Sequence, residues 1–178
     1  MGDYLMKKIP TWWANSIYDI DYDLLKREGK DVLFFDLDNT ITKPKNKKPT
    51  KEEIELIENL RNDFKIYVIS NNNEKRVGEY CKDLNIKYLS MALKPLLFRT
   101  KKFFKDEKLD KSKIVFIGDQ IYTDVKFARR LKVDCILLER ISDDEPWNVK
   151  LKRKLESRLK KKFKKLSLVK EMGEVHVK

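Results

Sequence analysis

The sequence predicts an α/β fold, a parallel sheet with helices on both faces. Three observations carry that expectation. Short apolar runs recur without alternation, as strands buried on both faces require. Amphipathic stretches of helical spacing separate them, so strand and helix alternate as in βαβ units. The 178 residues are 41% hydrophobic, enough to bury the core of one domain with an extension.

Val32-Leu33-Phe34-Phe35 is the first such run and predicts a strand. Thr42 to Thr50 follows with two prolines and four lysines, a basic loop. Thr50 and Glu53 form a capping box, and Ile54, Ile57 and Leu60 give the stripe of a helix to about Asn62. Ile66 to Ile69 predicts a second strand. Asn73 to Leu84 predicts a helix with Val77, Tyr80, Cys81 and Leu84 inward. Ile86 to Leu89 is a short strand. Pro95 to about Lys108 reads as a helix burying Leu97, Phe98 and Phe104, with Leu96 and Phe103 near the same face. Ile114 to Ile117 is a strand ended by Gly118, Ile121 to Lys132 a helix, and Cys135 to Leu138 the last strand. Domain boundaries are expected at 1–146 for the α/β unit and 147–178 for a basic tail.

The tail departs in charge. Twelve Lys plus Arg and three Glu between Val149 and Lys178 give it +9, leaving +3 for the rest of a chain whose net charge is +12. Leu151, Leu155, Leu159, Phe163 and Leu166, with Val169 beyond, recur at helical spacing between the lysines, which predicts a basic amphipathic helix. Such a helix packs on its own domain, lies on an anionic membrane, or neutralises nucleic-acid phosphates. Its single Phe163 offers little base stacking, which counts against nucleic acid. Trp12 and Trp13 either sit at lipid-headgroup level or pack on the sheet edge.

Several function classes are excluded. The only histidine is His176, so neither a His-based metal site nor a Ser–His–Asp triad can form. Cys81 and Cys135 each sit in an apolar pattern and read as buried thiols. No apolar run reaches the roughly 18 residues of a membrane span. Pro10 and Thr11 interrupt anything like a signal peptide. The expected location is the cytoplasm, as a peripheral protein on the inner face of the membrane.

In a parallel sheet the ligand sits at the carboxyl ends of the strands. The residues there are Asp36-Leu37-Asp38-Asn39-Thr40, Ser70-Asn71-Asn72, Lys94, and Gly118-Asp119-Gln120 with Asp124 a turn later. Clustered carboxylates repel unless a cation joins them, and hard oxygen ligands suit Mg²⁺. Asp36, Asp38, Asp119 and Asp124 are the candidate metal group, with Asp124 alternatively an outer carboxylate or a helix N-cap. Thr40, Ser70, Asn71 and Lys94 are the candidates for holding phosphate. Asp36 and Asp38 can divide the work of nucleophile and general acid/base. The chemistry expected is metal-assisted phosphoryl transfer.

These residues resemble the four motifs of the haloacid dehalogenase superfamily: Asp36-Leu37-Asp38-Asn39-Thr40 (D-x-D-x-T), Ser70, Lys94-Pro95, and Gly118-Asp119 with Asp124. The gaps between motifs leave no room for a cap domain, as in the capless branch. Ser16-Ile17-Tyr18-Asp19-Ile20-Asp21, Ser70 to Arg76, and Gly118 to Asp124 together look like the YqeG-type group, which is similar to the phosphatidylglycerophosphate phosphatases of mitochondria and plastids. The resemblance implies a haloacid dehalogenase-like Rossmannoid fold and hydrolysis of phosphatidylglycerophosphate to phosphatidylglycerol. It implies Asp36 as nucleophile and Asp38 as acid/base. Mg²⁺ is then held by Asp36, the Asp38 carbonyl and Asp119, and the phosphoryl group by Ser70 and Lys94. An anionic phospholipid substrate further implies peripheral membrane contact, for which the basic tail and Lys43, Lys45, Lys47 and Lys48 are the candidates. The rivals are a phosphatase associated with nucleic acid or ribosomes, a phosphatase of another large or small phosphomonoester, and a scaffold without activity.

Overall fold

The computed structural model describes residues 8–142, 147–165 and 169–172. Its strands are β1 (Trp12–Ala14), β2 (Val32–Phe35), β3 (Lys65–Ile69), β4 (Lys87–Leu89), β5 (Ile114–Gly118), β6 (Asp134–Leu138) and β7 (Lys170–Glu171). The helices are α1 (Tyr22–Arg27), α2 (Lys51–Leu60), α3 (Glu74–Leu84), α4 (Phe98–Asp106), α5 (Lys126–Leu131) and α6 (Trp147–Lys165). The strands form one seven-stranded sheet in the order β4-β3-β2-β5-β6-β1-β7, and every pairing is parallel. Strand order reverses between β2 and β5, which is where such a sheet opens a ligand crevice.

Residue alternation along each strand splits the interior into two cores. Leu33 and Phe35 of β2, Val68 of β3 and Val115 and Ile117 of β5 pack beneath α2 and α3, with Ile57, Val77 and Tyr80. Val32 and Phe34, Tyr67 and Phe116 face the other way, against Phe104 of α4, Phe127 of α5 and Phe163 of α6. Helices therefore cover both faces, as the unalternating strands predict. The Thr50–Glu53 capping box is formed. The Asn73 side chain caps α3. Both cysteines are buried free thiols, and burial pushes Cys81 up to about 12.

The structure corrects the expectation in four places. The helix expected from Pro95 begins only at Phe98, because positive φ at Met91 and Leu93 and the Leu96 N–H bond to Leu93 O hold the chain in a turn. Phe98 is accordingly exposed, and Thr100 joins Phe104 inward. Trp12 and Trp13 belong to a strand missed in the sequence; at 8% and 3% exposure they are core residues, so the packing alternative holds and the headgroup one falls. The sheet does not end at β6, since β1 lies beside it and β7 beside β1.

Part of the expected apolar stripe of the tail packs on the domain: Leu159, Phe163 and Val169 turn to it. The stripe fails at Leu155, which is 49% exposed, while Glu156 takes an inward place. Glu156 accepts the Tyr122 N–H at 2.9 Å, and Lys160 reaches Leu138 O and Glu139. The expected boundary at 146, like Leu166, falls outside the described residues. No described helix is long and apolar enough to cross a membrane.

Candidate active site

Asp36 follows β2 directly, and its N–H donates to Ile117 O at 2.8 Å, so the ladder with β5 continues one residue past the strand. That bond fixes the backbone beneath its carboxylate. Lys94 arrives from the far side of β3. Its Nζ donates to Asp36 Oδ1 and to Asp124 Oδ1, each at 2.8 Å. The Lys94 side chain is 1% exposed, a position that an ammonium occupies only when paired. Asp36, Asp119 and Asp124 each offer a carboxylate oxygen, all within 4.8 Å of one another, and all three residues are buried.

Three carboxylates around one ammonium leave excess negative charge. Burial raises the Asp36 pKa to about 7; Lys94 pulls against that shift and Asp124 adds to it. Burial works against the Lys94 ammonium, but Asp124 and Asp36 outweigh it and its pKa is raised. Both directions follow from net negative charge in a poorly solvated place.

Asp124 reaches this centre because the chain after β5 doubles back. Ile121–Val125 is a π-helical turn leading into α5, and Asp124 Oδ2 accepts the Gln120 N–H at 3.0 Å. Gly118 makes the approach possible, since a Cβ there would lie 2.6 Å from the Asp124 carboxylate.

Asp38 takes a different direction. Asn39 adopts the left-handed conformation at φ 64° and donates to Thr42 O at 2.7 Å, closing a tight turn after β2. The Asp38 carboxylate accepts from Arg76 Nη2 at 2.8 Å and from Asn72 Nδ2 at 2.9 Å. It is thus held outside the buried trio, at the mouth of the site. Thr40 is 1% exposed in the same turn, and its hydroxyl has no hydrogen-bond partner among the described residues.

The loop after β3 supplies Ser70, which is 2% exposed and accepts the Asn72 N–H at 3.2 Å. The Asn71 amide is engaged with the lysine segment: it donates to Lys94 O at 3.0 Å and accepts the Lys94 N–H at 2.6 Å. Asn71 therefore positions Lys94, a task that its place in the sequence did not reveal. Arg76 is the residue most clearly missed. Besides Asp38 it donates to Asn46 O in the basic loop and lies over the Tyr80 ring. The signal available was its position on the first turn of α3, next to the Ser70 loop.

A family model described as mitochondrial PGP phosphatase matches residues 6–140. The chain belongs to that family. It is 28% identical over 174 residues to the probable phosphatase YqeG of Bacillus subtilis, covering 96% of this chain and 98% of that protein. The fold is similar to that of a putative 3-deoxy-D-manno-octulosonate 8-phosphate phosphatase from Vibrio cholerae, with a TM-score of 0.51 at 15% identity over 65% of this chain and 71% of that one. It is similar also to the cobalt-bound deoxy-D-mannose-octulosonate 8-phosphate phosphatase of Haemophilus influenzae, with a TM-score of 0.51 at 18% identity over 65% and 81%. At these identities the two structures establish the fold alone.

As a member of the family this protein is a phosphoric monoester hydrolase, and no further domain is inserted between the described residues of its site. Between Asp38 and Ser70 lie only the basic loop, α2 and β3, and between Ser70 and Lys94 only α3 and β4. The donor set fits a small hard cation: carboxylate oxygens from Asp36, Asp119 and Asp124, without sulfur or imidazole.

Proposed function

We propose that this phosphatase hydrolyses phosphatidylglycerophosphate to phosphatidylglycerol at a membrane surface through an aspartyl-phosphate intermediate. The observation that carries the reaction is the buried Lys94 ammonium bridging Asp36 and Asp124 beside Asp119. The family supports the lipid substrate, and an uncapped site suits a phosphate borne on a surface.

Asp36, Asp119 and the backbone after β2 would hold Mg²⁺, with Asp124 beside them. Bound there, the cation supplies charge neutralisation for a phosphate approaching three carboxylates. Lys94 and Ser70 hold the phosphoryl oxygens. The Asp36 carboxylate attacks phosphorus, forming a P–O bond as the ester bond to glycerol breaks. Asp38 gives its proton to the departing alkoxide. Asp38, now ionised, takes a proton from water, whose oxygen attacks phosphorus. The bond to Asp36 breaks, and inorganic phosphate leaves. Asp38 suits both transfers because Arg76 and Asn72 keep it at the mouth, apart from the buried carboxylate trio.

The test is phosphate release by purified protein with Mg²⁺ across lipid, nucleotide and sugar phosphates, with Asp36→Asn as control. Preference for phosphatidylglycerophosphate supports the reading; cleavage of soluble esters alone overturns the lipid substrate.

A further inference from the structure

The segment between β4 and α4 turns apolar side chains outward and a charged one inward. Met91, Leu93, Leu96 and Phe98 are exposed by 47%, 43%, 51% and 61%, whereas Ala92 and Lys94 between them are buried. Seven large apolar residues are exposed among those described, and four of them fall within these eight positions. Clustered apolar exposure of this kind marks an interaction surface.

The segment is firmly mounted. Met91 N donates to Asn72 O at 2.8 Å, Ala92 N to Ser70 O at 2.9 Å, and Leu96 N to Leu93 O at 2.8 Å. The Asn71 amide grips Lys94 on both sides of its peptide. Met91 and Leu93 have φ of 45° and 58°, a region that side chains other than glycine rarely adopt. The fold thus holds apolar tips in solvent on the same support that carries Lys94 to Asp36.

Charge surrounds those tips. From Ser90 to Lys105 there is no Asp or Glu. Lys101 and Lys102 are exposed on α4. Exposed Arg130 donates to Pro95 O at 3.0 Å. Across the site Lys43, Lys47 and Lys48 are exposed on the loop whose backbone Arg76 holds. Asp106 lies beside Phe98 and Lys102 at the end of α4, but cations predominate around the tips. Apolar tips flanked mainly by cations complement an anionic bilayer, whose headgroups attract the lysines while its acyl boundary takes the tips.

We propose that residues 91–98, with Lys101, Lys102 and Arg130, are the surface that docks this protein on an anionic bilayer, its apolar tips entering beneath the headgroups. The docking assignment rests on the lipid-substrate reading and deepens it. Docking through this segment brings the open site to the lipid headgroups. The basic α6 is a secondary contact at most, because Phe163 and Leu159 are committed to the domain.

The test compares the full chain with a Leu96→Ser/Phe98→Ser double variant and with Lys161→Glu/Lys162→Glu on α6. Co-sedimentation uses vesicles of phosphatidylcholine alone and mixed equally with phosphatidylglycerol. The wild type should bind the anionic vesicles, more weakly as salt rises. The apolar double variant should bind them about tenfold less or worse, with unchanged turnover of p-nitrophenyl phosphate. The α6 variant should lose less. If the apolar variant binds as the wild type does, or if α6 alone governs binding, the assignment is overturned. It is overturned equally if the wild type ignores vesicles and instead self-associates through Leu96 and Phe98. Binding through these residues without cleavage of phosphatidylglycerophosphate refutes the substrate and leaves the surface standing. Cleavage by a variant that docks normally does the reverse.

Discussion

Arg76 holds Asp38: its Nη2 donates to Asp38 Oδ1 at 2.8 Å, and the Arg76 side chain is only 14% exposed. The same guanidinium grips the basic loop through Asn46 O, so it ties the Asp38 carboxylate, the loop and α3 together. Lysine cannot reproduce a planar fork shared between a carboxylate and a carbonyl. Arg76→Ala is expected to lower kcat about 10–100-fold, the usual loss for a residue that orients an active group. KM for a soluble ester should change little, and Arg76→Lys should recover only part of kcat. Steady-state kinetics on p-nitrophenyl phosphate decides it; an unchanged kcat would mean that Asn72 alone places the acid.

The raised pKa of Asp36, about 7, makes a stability prediction for the metal-free protein. Between its unfolded value near 4 and about 7 the folded state keeps a proton that the unfolded chain has lost. Stability from this group is therefore full below the lower value and falls as pH rises to the upper one. Thermal melting in a chelator should show that decline, and Asp36→Asn should flatten it while abolishing turnover. Mg²⁺ held by this carboxylate would displace the proton, so its stabilising effect should grow between roughly pH 6 and 8. A melting curve indifferent to pH and Mg²⁺ would contradict this account.

Gly118→Ala is expected to push the Asp124 carboxylate away, because the new methyl would stand 2.6 Å from it. Overpacking of this kind costs about 1–3 kcal/mol. The loss of alignment with Lys94 should reduce kcat as well. Urea unfolding and single-turnover assays on the same preparation separate the two effects.

Phe163 anchors α6 and is fully buried among Phe116, Phe127 and Leu137 in the second core. Phe163→Ala should cost about 3–5 kcal/mol. That loss would appear as a lower urea midpoint for the whole domain. A wild-type midpoint would mean that the helix contributes nothing to the sheet it covers.

Much of the site was legible because its chemistry sits at strand ends, and strand ends are visible as the close of an apolar run. Asp36, Ser70, Gly118 and Asp119 are found that way. Asp124 and Lys94 needed more, since their place depends on a π-helical turn and on a hydrogen-bonded loop that local patterning does not encode. Arg76 was hidden because an arginine on an exposed first turn looks like any solvated cation until the partner carboxylate is placed. β1 was hidden for a related reason: three residues carry no measurable period, and its partners Ile136 to Leu138 lie more than a hundred positions away. On α6 the expected Leu159 and Phe163 do pack inward, but Leu155 does not, because Glu156 is held inward by the Tyr122 N–H, a contact invisible to any hydrophobic count.

β1 has a further consequence during synthesis. Trp12 to Ala14 leave the ribosome before both neighbours of this strand, β6 and β7, which follow more than a hundred positions later. Two adjacent tryptophans then remain without their lateral partners while the segment between β1 and β6 is made. Ladder closure over so long a separation is slow, and the waiting segment is an adhesive one. Nascent chains halted before Asp134 should accordingly be the species that trigger factor-type holdases retain longest.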